Sequence, residues 1–135
     1  MAKPLLTIGL IVKDEIRCIE RCLKALQPLR EAVPFEVIVA DTGSTDGTRE
    51  VAEQYADLVF DFPWINDFAA ARNAVMDRSS GSWYLSLDAD ETLDPDVTEL
   101  KTFLTDSRVN DCTSAYLLIN NYVDPNDDNQ YTAFE

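Results

Sequence analysis

Phe35-Glu36-Val37-Ile38-Val39-Ala40 runs without a break into Asp41-Thr42-Gly43-Ser44-Thr45-Asp46-Gly47-Thr48. The first six residues are apolar on both parities and rich in β-branched side chains, as a strand buried on both faces must be. The next eight are turn and N-cap residues, so the chain leaves the strand in a polar loop and enters a helix over 48–55. Upstream the same grammar appears once more. Leu5-Leu6-Thr7-Ile8-Gly9-Leu10-Ile11-Val12 is a near-continuous apolar run closed by Lys13-Asp14-Glu15. Ile16, Ile19, Leu23 and Leu26 then recur at helical spacing, and Pro28 is expected to stop that helix.

Downstream, Leu58-Val59-Phe60 reads as a short strand and leads to a loop holding Trp64 and Asn66. Asp67 is placed to cap a helix over 68–78, and Ser80-Gly81 turns the chain into a strand at Trp83-Tyr84-Leu85-Ser86-Leu87. Asp94-Pro95 opens another helix with Val97, Leu100 and Leu104 on its inner face. A further strand is expected over 114–123, which closes one domain over 1–123, and a polar, irregular tail over 124–135. Apolar strands alternating with helices specify an α/β, Rossmann-like, mostly parallel sheet covered on both faces. Right-handed crossovers put every strand's carboxyl end on one rim, where such sheets bind ligands. Lys13-Asp14-Glu15, Asp41 and Asp88-Ala89-Asp90 all fall on that rim.

The chain has 135 residues and a net charge of −14, of which residues 81–135 supply most, with 12 acidic against 2 basic side chains. Such a surface repels a phosphate backbone and argues against nucleic acid as a partner. No apolar run reaches the roughly 20 residues that span a bilayer, and the stretch from Leu5 meets Lys13-Asp14-Glu15 with no small-residue cleavage site. The reading therefore places the chain in the cytoplasm, with peripheral attachment to the inner face of the membrane left open for a longer protein. Cys18, Cys22 and Cys112 form neither an even disulfide set nor, with no histidine present, a zinc site; they read as packing residues.

Asp88 and Asp90 are one residue apart, so on leaving a strand they point to the same side. Paired carboxylates suit Mg²⁺ or Mn²⁺, with substrate phosphates completing the shell. By itself the spacing fits equally a strand end and a turn cap; its place on the rim favours the metal. Asp41 could offer a carboxylate to a base or ribose, or merely end the strand in a plain strand-to-helix turn with Ser44 or Asp46 as the cap. Neither a P-loop lysine nor a G-x-G-x-x-G is present to cradle phosphate. Arg72, among Ala69-Ala70-Ala71 and Ala74, is placed either to meet a phosphate or base or to form a surface ion pair, the plainer reading. From Asp124 to Glu135, oxygen-bearing residues follow the spacing of a calcium loop, but the glycine at its sixth position and the preceding helix are missing.

Five segments in order resemble family 2 glycosyltransferases of the GT-A fold. They are Ile11-Val12-Lys13-Asp14-Glu15, Ile19-Glu20-Arg21-Cys22-Leu23, the stretch from Val39 to Thr48, Trp64-Ile65-Asn66-Asp67-Phe68-Ala69-Ala70-Ala71-Arg72-Asn73, and Leu87-Asp88-Ala89-Asp90-Glu91. The match covers residues 6–94, and its Trp-Ile-Asn-Asp-Phe version is similar to a bacterial subgroup often fused to tetratricopeptide repeats. The resemblance implies the nucleotide-diphospho-sugar-binding half of a GT-A enzyme. Val12, Lys13 and Glu15 would line the nucleotide pocket, Asp41 would bind the base, usually uracil, and Arg72 would contact the nucleotide. Asp88 would meet the ribose region and share Mn²⁺ or Mg²⁺ with Asp90. Asp14 stands where the family more often has Asn, which weakens its own nucleotide contact. The family's catalytic base and acceptor elements lie downstream, so no catalytic residue is assigned here. The expectation is an N-terminal fragment that binds a donor, with transfer to an unknown protein, glycan or lipid acceptor left to residues beyond it.

Two alternatives remain at this point. Leu85-Ser86-Leu87-Asp88-Ala89-Asp90-Glu91-Thr92 is similar to the first motif of haloacid-dehalogenase-type phosphatases, with Asp88 as nucleophile and Asp90 as acid/base. The other is a nucleotide-binding module without chemistry.

Overall fold

The computed structural model of the chain describes residues 3–93, 97–106, 119–122 and 131–134. Two compact units divide the chain, Met1–Leu104 and Thr105–Glu135. In the first, β1 (Leu6–Val12), β2 (Phe35–Asp41), β3 (Leu58–Asp61) and β4 (Trp83–Ser86) form one sheet in the order β3-β2-β1-β4. Every pairing in it is parallel, with Leu6 opposite both Phe35 and Trp83, and Asp41 opposite Val12 and Asp61. The order reverses beside β1: the chain moves outward from β1 to β2 and β3, then returns to place β4 on the other side. The crevice at the carboxyl ends of β1 and β4 is therefore the topological switch point.

The side-chain period of a strand sorts the core into two layers. Leu6, Ile8, Leu10 and Val12 point to one face, where they meet Ile19, Cys22, Leu23, Leu29, Ala52 and Leu104. These come from α1 (Ile19–Lys24), α2 (Gln27–Arg30), α3 (Thr48–Tyr55) and α5 (Val97–Thr105). Ile11 points the other way and joins Ile38, Ala40, Phe60, Tyr84 and Val75 under α4 (Phe68–Asp77). Thr7 and Gly9 lie on that same parity. A Cβ on Gly9 would stand 2.1 Å from the Tyr84 hydroxyl and 2.8 Å from a Val75 methyl, so the absence of a side chain is what lets Tyr84 and α4 close on the sheet.

At the opposite edge from the rim, Glu36 accepts from the Thr7 and Ser80 hydroxyls and from the Ser80 N–H, while the Gly81 N–H donates to Thr7 Oγ1. This network fixes the turn that feeds β4. Burial pushes the Glu36 carboxyl up, but the hydrogen bonds outweigh it and hold the group below its ordinary value.

Three local expectations need correction. Pro28 does not end the first helix: α1 stops at Lys24, and Pro28 sits in the first turn of α2, where its missing N–H costs nothing. Ile16 is not on the buried stripe but lies before α1 and is 41% exposed. The stretch 124–135, expected to be irregular, contains β6 (Tyr131–Phe134), which pairs antiparallel with β5 (Ile119–Tyr122) in the second unit. The calcium-loop spacing from Asp124, the Asp94-Pro95 helix start, the remainder of the strand expected over 114–123, and Cys112 lie outside the described residues or partly so. No described helix is long and apolar enough to cross a membrane.

Candidate functional site

Two rim loops are tied to each other by side-chain hydrogen bonds. The N–H groups of Asp14, Glu15 and Ile16 donate to Ser44 Oγ, Thr48 Oγ1 and Asp46 Oδ2, at 2.9, 2.8 and 3.3 Å. In return, Asp14 Oδ1 accepts from the Thr45 N–H at 2.8 Å. Asp14 takes a left-handed backbone (φ 51°), a conformation Asp and Asn tolerate best among residues with a Cβ. Its carboxylate thus serves the loop, which accounts for an Asp at a position where an Asn would do the same work. Gly43 and Gly47 supply the other positive-φ positions of these two loops (120° and 97°). Gly47 occupies the N-cap position of α3 without a side chain, and Asp46 takes over that task by accepting from the Thr48 N–H. Ser44, an alternative cap by sequence, is spent on Asp14.

Asp41 ends β2 and is 4% exposed. Its Oδ1 accepts from the Ser44 N–H at 3.0 Å and the Gly43 N–H at 3.4 Å, so Asp41 itself holds the turn, beside Asp46 at the helix start. Oδ2 has no bonded partner among the described residues, and no buried side-chain oxygen there is left unsatisfied, so it keeps a small exposed area. One oxygen holds the loop and the other is left for a ligand to reach.

A cleft of about 240 Å³ opens beside the ends of β1 and β2. Val12, Lys13 and Glu15 line it, together with Ile11, Thr42, Trp64 and Phe68. Thr42 is held there by donating both its N–H and its hydroxyl to the Val12 carbonyl, at 2.9 and 3.0 Å. Trp64 and Phe68 meet edge to face, with centroids 4.6 Å apart. These last three residues were missed because they come from two further segments that only the fold brings to β1. An aromatic residue standing in a polar loop next to Asn66-Asp67 was the available signal. Asp67 caps α4 as predicted, accepting from the Ala70 N–H at 3.1 Å.

Across β1 from that cleft, the chain leaves β4 through Leu87, whose N–H donates to the Gly9 carbonyl. Leu87 and Ala89 are buried while Asp88 and Asp90 are exposed, so the two carboxylates do share the outer side. Glu91 turns back, accepting from the Asp88 N–H through Oε1 at 2.8 Å. Cys22 packs beneath, its thiol donating to the Asp88 carbonyl at 3.7 Å; burial, with nearby Cys18, Glu91 and Asp90, pushes that thiol up to about 12. Cys18 is half-buried and donates to Glu15 Oε2 at 3.3 Å; burial and then Glu15 and Asp90 raise it too. Among the described residues no three Cys, Asp or Glu side chains gather closely enough to hold a cation unaided. The donor set at Asp88 and Asp90 nonetheless fits Mg²⁺ or Mn²⁺, which keep waters and take substrate phosphate rather than a full protein cage.

Arg72 is exposed on α4 and makes no ion pair with a described residue, against the plainer sequence reading. Its charge is felt at Tyr84, which burial raises and Arg72 partly lowers. The structure therefore gathers Val12, Lys13 and Glu15 in one cleft and sets Asp41 beside them. Arg72, Asp88 and Asp90 lie outside the lining of that cleft. A second, broad depression of about 590 Å³ runs along Ile16, Arg17, Glu20, Arg21, Lys24 and Ala25. It follows α1 and takes in none of Glu15, Asp41, Asp88 and Asp90, so the smaller cleft at the strand ends is the better candidate.

Comparison with known proteins decides between the alternatives. The model of the family described as glycosyl transferase family 2 matches residues 7–127. A TPR repeat-containing protein of Synechococcus elongatus is 38% identical over 87 residues, covering 64% of this chain and 21% of its own length. The SPbeta prophage-derived glycosyltransferase SunS of Bacillus subtilis is 33% identical over 89 residues, covering 64% and 20%. The chain thus spans about a fifth of the length of these relatives. Among solved structures, S. aureus TarS 1-349 in complex with UDP superposes with a TM-score of 0.63 at 22% identity, over 73% of this chain and 31% of that one. The mannosyltransferase PcManGT from Pyrobaculum calidifontis, in complex with GDP-Man and Mn²⁺, gives 0.61 at 22%, over 79% and 34%. At that identity the structures show a shared fold, and the family match goes further. The order of strands, the rim carboxylates and the family match agree: the chain belongs to glycosyltransferase family 2.

Proposed function

We propose that this chain binds the donor of a glycosyltransferase, a nucleoside diphosphate sugar of the UDP type, together with Mn²⁺ or Mg²⁺. The observation that carries the reading is the division of one rim into two chemically different halves. Beside β1 and β2 lie the cleft and the outward oxygen of Asp41, suited to a base and ribose. Beside β4 lie Asp88 and Asp90, suited to a cation on a diphosphate. Strands lie ~4.8 Å apart, so β2 and β4 are ~10 Å from each other, and a nucleotide laid across β1 has its base and its phosphates on different halves. The complexes of the similarly folded TarS with UDP and PcManGT with GDP-Man and Mn²⁺ support the assignment.

In this reading Lys13 and Glu15 flank the base, Asp41 accepts from it, Asp88 meets the ribose region, and Arg72 draws the nucleotide by charge. Asp90, with Asp88, would hold the divalent cation, which would supply positive charge to offset that on a leaving diphosphate. We assign these residues to donor binding and assign no catalytic base among them. The acceptor, whether protein, glycan or lipid, is left open. Calorimetric titration with UDP, with and without Mn²⁺, tests the proposal. Binding strengthened by Mn²⁺ in the wild type, and insensitive to Mn²⁺ in Asp90→Asn, is the expected result. Absence of UDP binding in both conditions refutes it.

A further inference from the structure

The loop between β3 and α4 carries more than a helix cap. Trp64 lines the cleft, and three features fix its indole. Nε1 donates to Asn66 Oδ1 at 2.9 Å. Asn66 holds a left-handed turn (φ 59°) that folds this partner back onto the ring. Phe68 packs against Trp64 edge to face, with the planes at 68°. Phe68 itself is 66% exposed and Ile65 60%, so the loop places large apolar groups at the surface beside the cleft instead of in the core.

We propose that Trp64 is the stacking platform for the planar base of the donor nucleotide, and that Asn66 and Phe68 act as positioning residues for its ring. The inference rests on the donor-binding reading and extends it to a residue that the rim carboxylates do not require. The cleft's volume, about 240 Å³, is below the ~300–1,000 Å³ of sites that enclose a whole ligand, so it admits one part of the donor. Its walls decide which part. Ile11, Val12, Trp64 and Phe68 offer apolar surface, with Thr42, Lys13 and Glu15 at the edges. A flat ring with hydrogen-bonding edges matches that pattern, and a diphosphate does not. Aromatic faces accept any base through its π-surface, while an indole already held in place loses little rotamer freedom on binding.

The test uses the full chain in a Trp83→Phe background. Trp83 starts β4, away from the rim, where it packs on Phe103 at 5.4 Å, so the background keeps an aromatic ring there and leaves Trp64 as the single tryptophan. UDP with Mn²⁺ is expected to quench Trp64 emission, and inorganic pyrophosphate with Mn²⁺ to bind without quenching. In otherwise wild-type protein, Trp64→Ala is expected to weaken UDP about 10- to 100-fold, the range of a base–aromatic stack, and pyrophosphate by less than about 2-fold. Trp64→Phe retains a ring and loses less, and Asn66→Ala falls between, with urea midpoints confirming that each variant is folded. Equal UDP affinity in wild type and Trp64→Ala overturns the stacking role while leaving donor binding intact. Equal losses for UDP and pyrophosphate overturn it as well, because they mark a disturbed rim. If wild type does not bind UDP with or without Mn²⁺, the donor reading fails, and this proposal with it.

Discussion

Asp41 performs two tasks with two oxygens, and replacing it by asparagine separates them. In Asp41→Asn the amide oxygen can still accept from the Ser44 and Gly43 N–H groups, at 3.0 and 3.4 Å in the native loop. What is lost is charge: hydrogen bonds to a charged acceptor contribute ~1.5–3 kcal/mol and neutral ones ~0.5–1.5. The 3.4 Å contact is long enough to count little, so the fold should lose ~1 kcal/mol, carried by the Ser44 bond. The outward position changes more. A base N–H that met Oδ2 now meets an amide NH₂, donor against donor, and a charge-assisted hydrogen bond disappears without replacement. That corresponds to ~2–3 kcal/mol, or roughly 30- to 150-fold in UDP affinity. Asp41→Ala removes both functions and should add the ~1 kcal/mol typical of a lost side-chain cap. Calorimetry with UDP and Mn²⁺, paired with urea midpoints, reads both quantities. The reasoning is refuted if Asp41→Asn binds UDP like wild type, or if it unfolds as readily as Asp41→Ala.

Two further outcomes test the scaffold. Gly9→Ala should destabilise the fold by ~1–3 kcal/mol in urea melts, because its methyl would stand 2.1 Å from the Tyr84 hydroxyl and 2.8 Å from Val75; Tyr84→Phe in the same chain should recover part of the loss. Glu36 should make stability fall in acid. Its folded value lies below the ordinary 4.5, so its contribution is complete above that value and is lost as pH falls through the folded one. The urea-midpoint gap between wild type and Glu36→Gln should therefore be widest near neutral pH and close as the pH falls through the folded value.

The two long strands were legible because their sequence answers to both faces of the sheet at once. Val37, Ile38, Val39 and Ala40 cannot belong to a one-sided strand, and all four are fully or almost fully buried. Asp67 was legible for a local reason: a cap bonds within three residues of itself. Pro28 was not, because proline is disfavoured inside a helix and welcome in its first turn, and nothing local says which turn it occupies. Ile16 misled for a related reason. Its spacing suits the α1 stripe, but the bonds from residues 14–16 to Ser44, Asp46 and Thr48 pull the chain off the helical path there. The candidate site divides the same way. Glu15, Asp41 and Asp88-Ala89-Asp90 follow from strand ends, whereas Thr42, Trp64 and Phe68 enter the cleft through contacts between segments distant in sequence.

The halves of the rim differ in how they are held, and the difference bears on what each can bind alone. On the base side, hydrogen bonds between the 14–16 and 44–48 segments fix Glu15 and Asp41 in one frame, and Thr42 is bonded twice to Val12. A planar ligand meets a surface already in place. On the β4 side, three carboxylates occur within four residues, but Glu91 is occupied by the Asp88 N–H, and only Asp88 and Asp90 face outward. On the proposed reading, Asp88 and Asp90 would supply few protein ligands to a cation, and Mg²⁺ or Mn²⁺ held in that way takes water and substrate phosphate to fill its shell. A braced base side beside a sparse metal side would make the nucleotide the element that completes the shell, and this asymmetry follows from a single turn in which Glu91 closes back on Asp88.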